Sequence, residues 1–302
     1  MTMTFESAIH SLPARRPADR TRQAAILPPA APSILPAAVR ALERIESEAW
    51  KDLYSGAPQG IRAAAGLGLE PLGGLLAASA AACDGPTFNR VIARDPRIPI
   101  DGETLERLIA HYRALGVNRA FLPWPPPPPG ARTWWELDRR GIRPHNRWVK
   151  LWRDASPAPP VASALASAPL GAGERGAFEE VLAAGFDWPR SIAALWASLV
   201  GRPGWRHFAA RRDGRVVAVA GLLIRGAAAW FGPAATLPGD RGRGAQTLLL
   251  RERIETARAA GCRLLAVETA EPTPEREVVS LRNVRRMGFE IAYRRENYLI
   301  AL

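Results

Sequence analysis

The chain has 302 residues with 41 lysines and arginines against 29 acidic residues, a formal charge of +12; that length suits two domains of ordinary size, and no run of roughly 18 apolar residues reads as a membrane span. Lysine occurs only at Lys51 and Lys150, so the positive balance is arginine spread by a composition rich in Ala, Arg, Gly and Pro, which argues against a dedicated nucleic-acid face. Cys83 and Cys262 show neither disulfide nor metal spacing, the four histidines (His10, His111, His145, His207) are scattered, and the N-terminus lacks the apolar centre of a secretory signal, so the expected setting is the reducing cytoplasm, without a metal.

Residues 1–40 mix Pro, Ala and Arg with few large apolar side chains, too few to offset the entropy of ordering, and are expected to form a disordered tail. Residues 41–155 follow as a first folded unit. Within it LERLIAHYRALG reads as a helix closed by Gly116, and VNRAFLPW as a buried strand. Prolines 125–129 suit a stiff surface loop, and a short helix follows, ending around Arg139, Arg140, Gly141 and Ile142. The apolar strand RWVKLWRD completes the unit, with Trp148 and Trp152 as core or interface residues. Residues 156–169, rich in Pro, Ala and Ser, form the expected linker.

Residues 170–302 form the second unit. Two short helices, 176–186 and 191–200, flank the turn DWPR, with Phe178, Val181 and Leu182 on one face. Two strands, WRHFAARR and RVVAVAGLLIR, are joined by the hairpin signal Asp213-Gly214. A third strand, AAAWFGPAATLP, leads into GDRGRGA and then directly into a helix carrying Leu250, Ile254 and Ala257, which Gly261 closes. Gly242 and Gly244 free the backbone to turn successive N–H groups one way. Together with a helix N-terminus they make a site whose positive potential suits a pyrophosphate, and Arg241 and Arg243 add charge beside it. A strand, CRLLAVETA, a helix, VVSLRNVRRM, and a last strand through IAYRRENYLIAL end the chain.

This order, with a strand running to Pro238, then Arg241, Gly244 and a helix, and with Gly288-Phe289 after the last helix, resembles the GCN5-related N-acetyltransferase (GNAT) family from about residue 161 onward. Gln246 departs from the pattern, since the family usually has Gly or Ala there. The resemblance implies an α/β fold with a central mixed, mostly antiparallel sheet flanked by helices. It also implies an acetyl-CoA site in which the backbone of Ala234, Ala235 and Thr236 pairs with the pantetheine arm. The turn Arg241, Gly242, Arg243, Gly244, Ala245 and Gln246 holds the pyrophosphate, and Asn283 contacts the cofactor. In the implied reaction an amine attacks the thioester directly, with Glu268 either the base, acting directly or through water, or a residue that caps its strand or pairs with an arginine. Many members carry a tyrosine acid where this chain has Val284, so Ser280 and Tyr293 are the candidates for proton donation.

The first unit repeats part of the second. LERLIAHYRALG and LRERIETARAAG align on Gly116 and Gly261, and the paired arginines Arg139, Arg140 and Arg285, Arg286 each precede a glycine and a closing strand. The reading is a tandem of two GNAT-like halves. Residues 93–104, ARDPRIPIDGET, lack paired glycines, so the first half is degenerate and only the second holds coenzyme A. The acceptor is then the amine of a small molecule or peptide, in a cleft to which the first half supplies one wall. Two alternatives remain open at this stage: a non-catalytic acyl-CoA-binding module, and a transferase that uses aminoacyl-tRNA. The acceptor's identity and the oligomeric state are not encoded in any motif.

Overall fold

The computed structural model describes residues 36–93, 99–126 and 132–302. The expected tail up to residue 35 and most of the proline run lie outside them. Helix α1 (Pro36–Ser55) begins inside the stretch assigned to the tail. Proline's fixed φ suits a first helical turn, and Val39, Leu42, Ile45, Ala49 and Leu53 are buried at helical spacing, so apolar burial starts earlier than the composition suggested.

After α2 (Gln59–Ala65), three strands form an antiparallel meander: β1 (Leu67–Leu72), β2 (Leu75–Ala80) and β3 (Arg90–Ala93). Helix α3 (Gly102–Ala114) then crosses to β4 (Arg119–Trp124), which runs parallel to β3. Helix α4 (Arg132–Arg139) and β5 (Arg143–Arg153) close this half. The second half opens with β6 (Ala166–Pro169), so the end of the expected linker is an edge strand pairing with β7 (Trp205–Arg212). Helices α5 (Arg175–Phe186) and α6 (Arg190–Ala197) lie between them in sequence. Strands β7, β8 (Arg215–Arg225) and β9 (Ala228–Thr236) form a second antiparallel meander, and α7 (Ala245–Ala259) crosses to β10 (Leu264–Ala270), parallel to β9. Asp213 and Gly214, both at positive φ, make the β7–β8 turn. Helix α8 (Val279–Arg286) and β11 (Glu290–Ala301) complete the chain.

Each half thus repeats the same unit, three antiparallel strands followed by a helical crossover to a parallel fourth. The closing strands are exchanged. β5 pairs with β10 of the second half, and β11 pairs with β4 of the first, while β5 and β11 pair with each other. One sheet of eleven strands results, in the order β1-β2-β3-β4-β11-β5-β10-β9-β8-β7-β6. Separating the halves means breaking main-chain ladders on both sides of the β5–β11 pair.

Helices cover both faces, and alternating side chains along each strand serve the two layers. On one face α1, α5 and α6 pack on strands of both halves in one apolar cluster that includes Leu42, Trp50, Ile92, Phe178, Trp196 and Trp230. The other face carries two clusters, one under α7 and α8 and one under α3 and α4. The first face therefore ties the halves together, and Asp52 of α1 reinforces it by accepting from Arg202 Nη2 at 2.7 Å and Trp205 Nε1 at 2.7 Å.

Candidate active site

The parallel ladder between β9 and β10 runs only from Leu264–Ala228 to Ala266–Trp230. Beyond it the two strands splay. On the other side of β9 the pairing with β8 shifts register, Ala220 facing Ala234 and Leu222 facing Phe231, so that Gly232 and Pro233 bulge opposite Gly221. Splay and bulge together open a cleft of about 860 Å³, continuous with solvent. The second half lines it with Phe231 to Ala234, Gln246, Arg253, Glu268 and Ser280, and the first half adds Trp50, Thr87, Phe88 and Trp148.

At the wide end of the splay stands the glycine turn. Gly242 and Gly244 adopt φ of +79° and +78°. No side chain caps α7, and its first intrahelical bond is Leu248 N–H to Gly244 O at 3.0 Å, which leaves the N–H groups of Ala245, Gln246 and Thr247 without an intrahelical acceptor. A left-handed backbone leading into an uncapped helix fits an anionic ligand such as a pyrophosphate. α3, at the equivalent place in the first half, is closed instead: the Asp101 carboxylate accepts from Thr104 N–H at 2.8 Å. Arg241 donates from Nη2 to Gly185 O at 2.8 Å, tying the turn to the end of α5, whereas Gly242 and Arg243 are exposed. A Cβ at Gly185 would lie 2.7 Å from the Ala235 Cβ, so this glycine lets α5 approach β9 closely.

Most of the side chains anticipated from the sequence converge here. Ala234, Gln246, Glu268 and Ser280 line the cleft, with Ala235 and Thr236 next along β9. Asn283 Nδ2 donates to Gln246 Oε1 at 2.8 Å, so the glutamine that departs from the family pattern is held against α8. The hydroxyls of Ser280 and Thr269 are hydrogen-bonded to each other at 2.5 Å. Tyr293 is the exception. It is buried outside the cleft, its hydroxyl donates to Glu43, and burial pushes it well above the usual tyrosine range, so it does not reach a reacting group in the cleft.

Glu268 belongs to a buried ionic cluster. Its Oε2 accepts from Arg295 Nη2 at 2.6 Å and Lys150 Nζ at 3.2 Å. Glu46 accepts from Arg295, Lys150 and Arg90, and Glu43 from Arg295 and Tyr293. Three carboxylates (Glu43, Glu46, Glu268) thereby face three cations (Arg90, Lys150, Arg295), contributed by α1, β3 and β5 of one half and β10 and β11 of the other. Burial alone would raise the Glu268 carboxyl, but Lys150 and Arg295 outweigh it and hold the group below its ordinary value. Glu268 is accordingly an ionised group already paired with two cations, and a weak base.

Two features escaped the sequence reading. An aromatic wall of Trp50, Trp188, Trp196, Trp230, Phe88 and Phe186 is assembled from distant segments, with Phe186 stacked on Trp188 at 4.3 Å and Trp50 edge-on to Trp196 at 5.5 Å. Lys150 and the pair Glu43, Glu46 form the ionic cluster; their signal was a lysine inside the apolar run WVKLW and acids inside the apolar stripe of α1.

Comparison with known proteins agrees with this geometry. The model of the acetyltransferase (GNAT) family matches residues 175–279, which span α5 to the start of α8. No curated protein matches the chain. Among solved structures, a GCN5-related N-acetyltransferase from Kribbella flavida superposes with a TM-score of 0.59 at 17% identity, covering 85% of this chain and 94% of that one. A GCN5-related N-acetyltransferase from Sphaerobacter thermophilus gives 0.56 at 17%, covering 89% and 94%. A tandem GNAT protein from the clavulanic acid biosynthesis pathway gives 0.54 at 18%, covering 70% and 74%. At such identities the likeness is one of fold, and it extends over both halves. The family match falls on the half that contains the splayed strands and the uncapped helix: residues 175–279 form a domain of the acetyltransferase (GNAT) family.

Proposed function

We propose that the chain is an N-acyltransferase that moves an acyl group from coenzyme A, acetyl in the simplest case, to a primary amine. The observation that carries this reading is the uncapped, glycine-led start of α7 at the mouth of the β9–β10 splay. Arg241, Gly242, Arg243, Gly244, Ala245 and Gln246 hold the pyrophosphate. The free edge of β9 at Ala234, Ala235 and Thr236 pairs with the pantetheine arm, and Asn283 acts by holding Gln246 in place. Bound acyl-CoA supplies the thioester carbonyl and the leaving thiolate.

The acceptor enters from the aromatic side, where rings from both halves suit an amine on an apolar body of small-molecule or peptide-end size. Glu268 faces the incoming neutral amine and, through water, relays the proton released as the C–N bond forms to the departing thiolate, since its own pKa is too low to hold that proton. Being ionised well below neutral pH, Glu268 does not set the acidic limb of the rate profile; loss of the amine's proton does. Ser280, bonded to Thr269, is the one hydroxyl among the predicted donors that borders the cleft.

Calorimetric titration with acetyl-CoA tests the reading, in parallel with Gly244→Glu, whose added carboxylate would repel a pyrophosphate. Expected is roughly micromolar binding, about −8 kcal/mol, that disappears in a variant still folded by circular dichroism. Absence of binding to the wild type would overturn it. A second reading, binding without catalysis, is favoured by Val284 and Tyr293, which leave no tyrosine hydroxyl in the cleft; acyl-CoA binding with no turnover across a panel of amines would establish it.

A further inference from the structure

Arg253 is an arginine in a position built for a core residue. It stands before Gly261 at the same distance as Leu108 before Gly116, and the neighbouring face positions also correspond, Leu105 with Leu250 and Tyr112 with Ala257. All six side chains are buried, Arg253 at 2% exposure. The first half has leucine there; the second half has a cation, and that cation lines the cleft beside the Gly232 bulge.

The partners of Arg253 set it apart from the three cations of the ionic cluster. Arg90, Lys150 and Arg295 all face carboxylates. Arg253 bonds only to carbonyls: Nε to Leu249 O at 3.1 Å, Nη1 to Gly221 O at 3.3 Å and to Gly232 O at 3.4 Å, with the Phe231 ring 4.8 Å from Cζ. Nη2 donates to no group among the described residues. No carboxylate offsets its burial, which pulls the guanidinium down to about 9, still protonated at neutral pH. A buried charge without a counter-charge is costly. Holding two carbonyls at more than 3.2 Å is a small return for that cost. An anion entering the cleft would supply what is missing, in the planar two-point geometry that guanidinium offers a carboxylate.

We propose that Arg253 makes the cleft selective for an acyl donor whose acyl chain ends in a carboxylate, as in succinyl-CoA. The placement favours the donor as the source of the carboxylate, because Arg253 belongs to α7, the helix that starts at the glycine turn, and sits under β9, whose free edge faces the splay. This inference rests on the acyltransferase reading. In the reaction the amine nitrogen forms a C–N bond to the thioester carbonyl, the C–S bond breaks, and the amine's proton ends on the departing thiol. The product is an amide bearing a free carboxylate, with no redox change.

Calorimetry with acetyl-CoA and succinyl-CoA on the full chain tests the proposal without relying on activity. The wild type is expected to bind succinyl-CoA roughly tenfold or more tightly than acetyl-CoA, the scale of a hydrogen-bonded charge pair. In Arg253→Gln, which keeps donors for the bulge carbonyls and loses the charge, the preference should disappear while acetyl-CoA affinity changes little. Equal binding of both donors by the wild type, the result if Arg253 only props the bulge or meets a carboxylate on the acceptor, overturns this inference and leaves the acyltransferase reading standing. A preference that survives in Arg253→Gln also overturns it, and failure of the wild type to bind either donor overturns both. The wild-type comparison decides the matter even if the variant does not fold.

Discussion

Helices α3 and α7 occupy the same place in their halves, each carrying the chain from the third strand of a meander to a parallel fourth, and they begin in opposite ways. Asp101 closes the first turn of α3 with its own carboxylate. Gly244 leaves the first turn of α7 open, and the neighbouring Gly242 turns the preceding backbone in the same left-handed sense. The contrast continues inward, to Leu108 on one helix and Arg253 on the other. One architecture is thus finished with a capped helix in the first half and with an uncapped helix beside an open cleft in the second. The difference lies in a few side chains at the helix start and on its inner face, while the strand plan is kept.

The halves meet at the ionic cluster, and breaking it should have the largest effect on stability. Removing one partner of a buried ion pair typically costs about 3–5 kcal/mol. Glu43→Gln and Glu268→Gln each leave three cations facing two carboxylates, and each should lower unfolding stability by about 3 kcal/mol in urea titration. Only Glu268 also borders the cleft. Acyl transfer should therefore fall in Glu268→Gln well beyond any loss in Glu43→Gln under conditions where both are folded. Equal activities would remove Glu268 from the chemistry and leave it a structural ion. Arg295 and Lys150 hold both carboxyls below the ordinary value of 4.5 against the opposing effect of burial, so their contribution to stability is present above that value and is lost as pH falls through the lower, folded one.

An earlier acid loss arises in the second half. His207 on β7 is buried between Phe178, edge-on at 4.8 Å, and Trp205, stacked at 5.9 Å, and burial pulls its imidazole from 6.5 down to about 4. The unfolded chain therefore takes up a proton that the folded chain refuses. Stability from this group is complete above pH 6.5 and falls as pH drops from 6.5 to 4, by about 3 kcal/mol at about 1.4 kcal/mol per pH unit. In His207→Phe, unfolding measured across that window should lose most of this slope. An unchanged slope would place the titrating group elsewhere.

The sequence made the elements of the second half legible because their punctuation is local. Gly261 and Gly288 end helices at positive φ, Asp213-Gly214 turns a hairpin, and paired glycines running straight into a helix read as a candidate anion site. The exchange of β5 and β11 was not legible. Both mix apolar and charged residues, and nothing local in a strand names its partner. The same limit hid the cleft's lining. Trp50, Trp148, Trp196 and Trp230 lie far apart in sequence and look like ordinary core residues, and Glu268 reads equally well as a base or as an ion-pair partner until Lys150 and Arg295 are placed beside it. Tyr293 failed as a donor for a related reason: strand alternation cannot tell the cleft side of β11 from the side facing Glu43 of α1.

The smallest effect sharpens the comparison from the capped side. Asp101→Ala removes the cap of α3, and such caps contribute about 1 kcal/mol, so unfolding stability should drop by about that amount. Opening this helix should not create a second coenzyme A site, because the first half lacks both the paired left-handed glycines ahead of the helix and a buried cation at the Leu108 position. Calorimetry of Asp101→Ala with acetyl-CoA should therefore give the same stoichiometry as the wild type. A second binding event would mean that the cap alone silences the first half. An unchanged stoichiometry assigns that silence to the loop and the helix's inner face, and makes the glycine turn and Arg253 the features that separate a binding half from a supporting one.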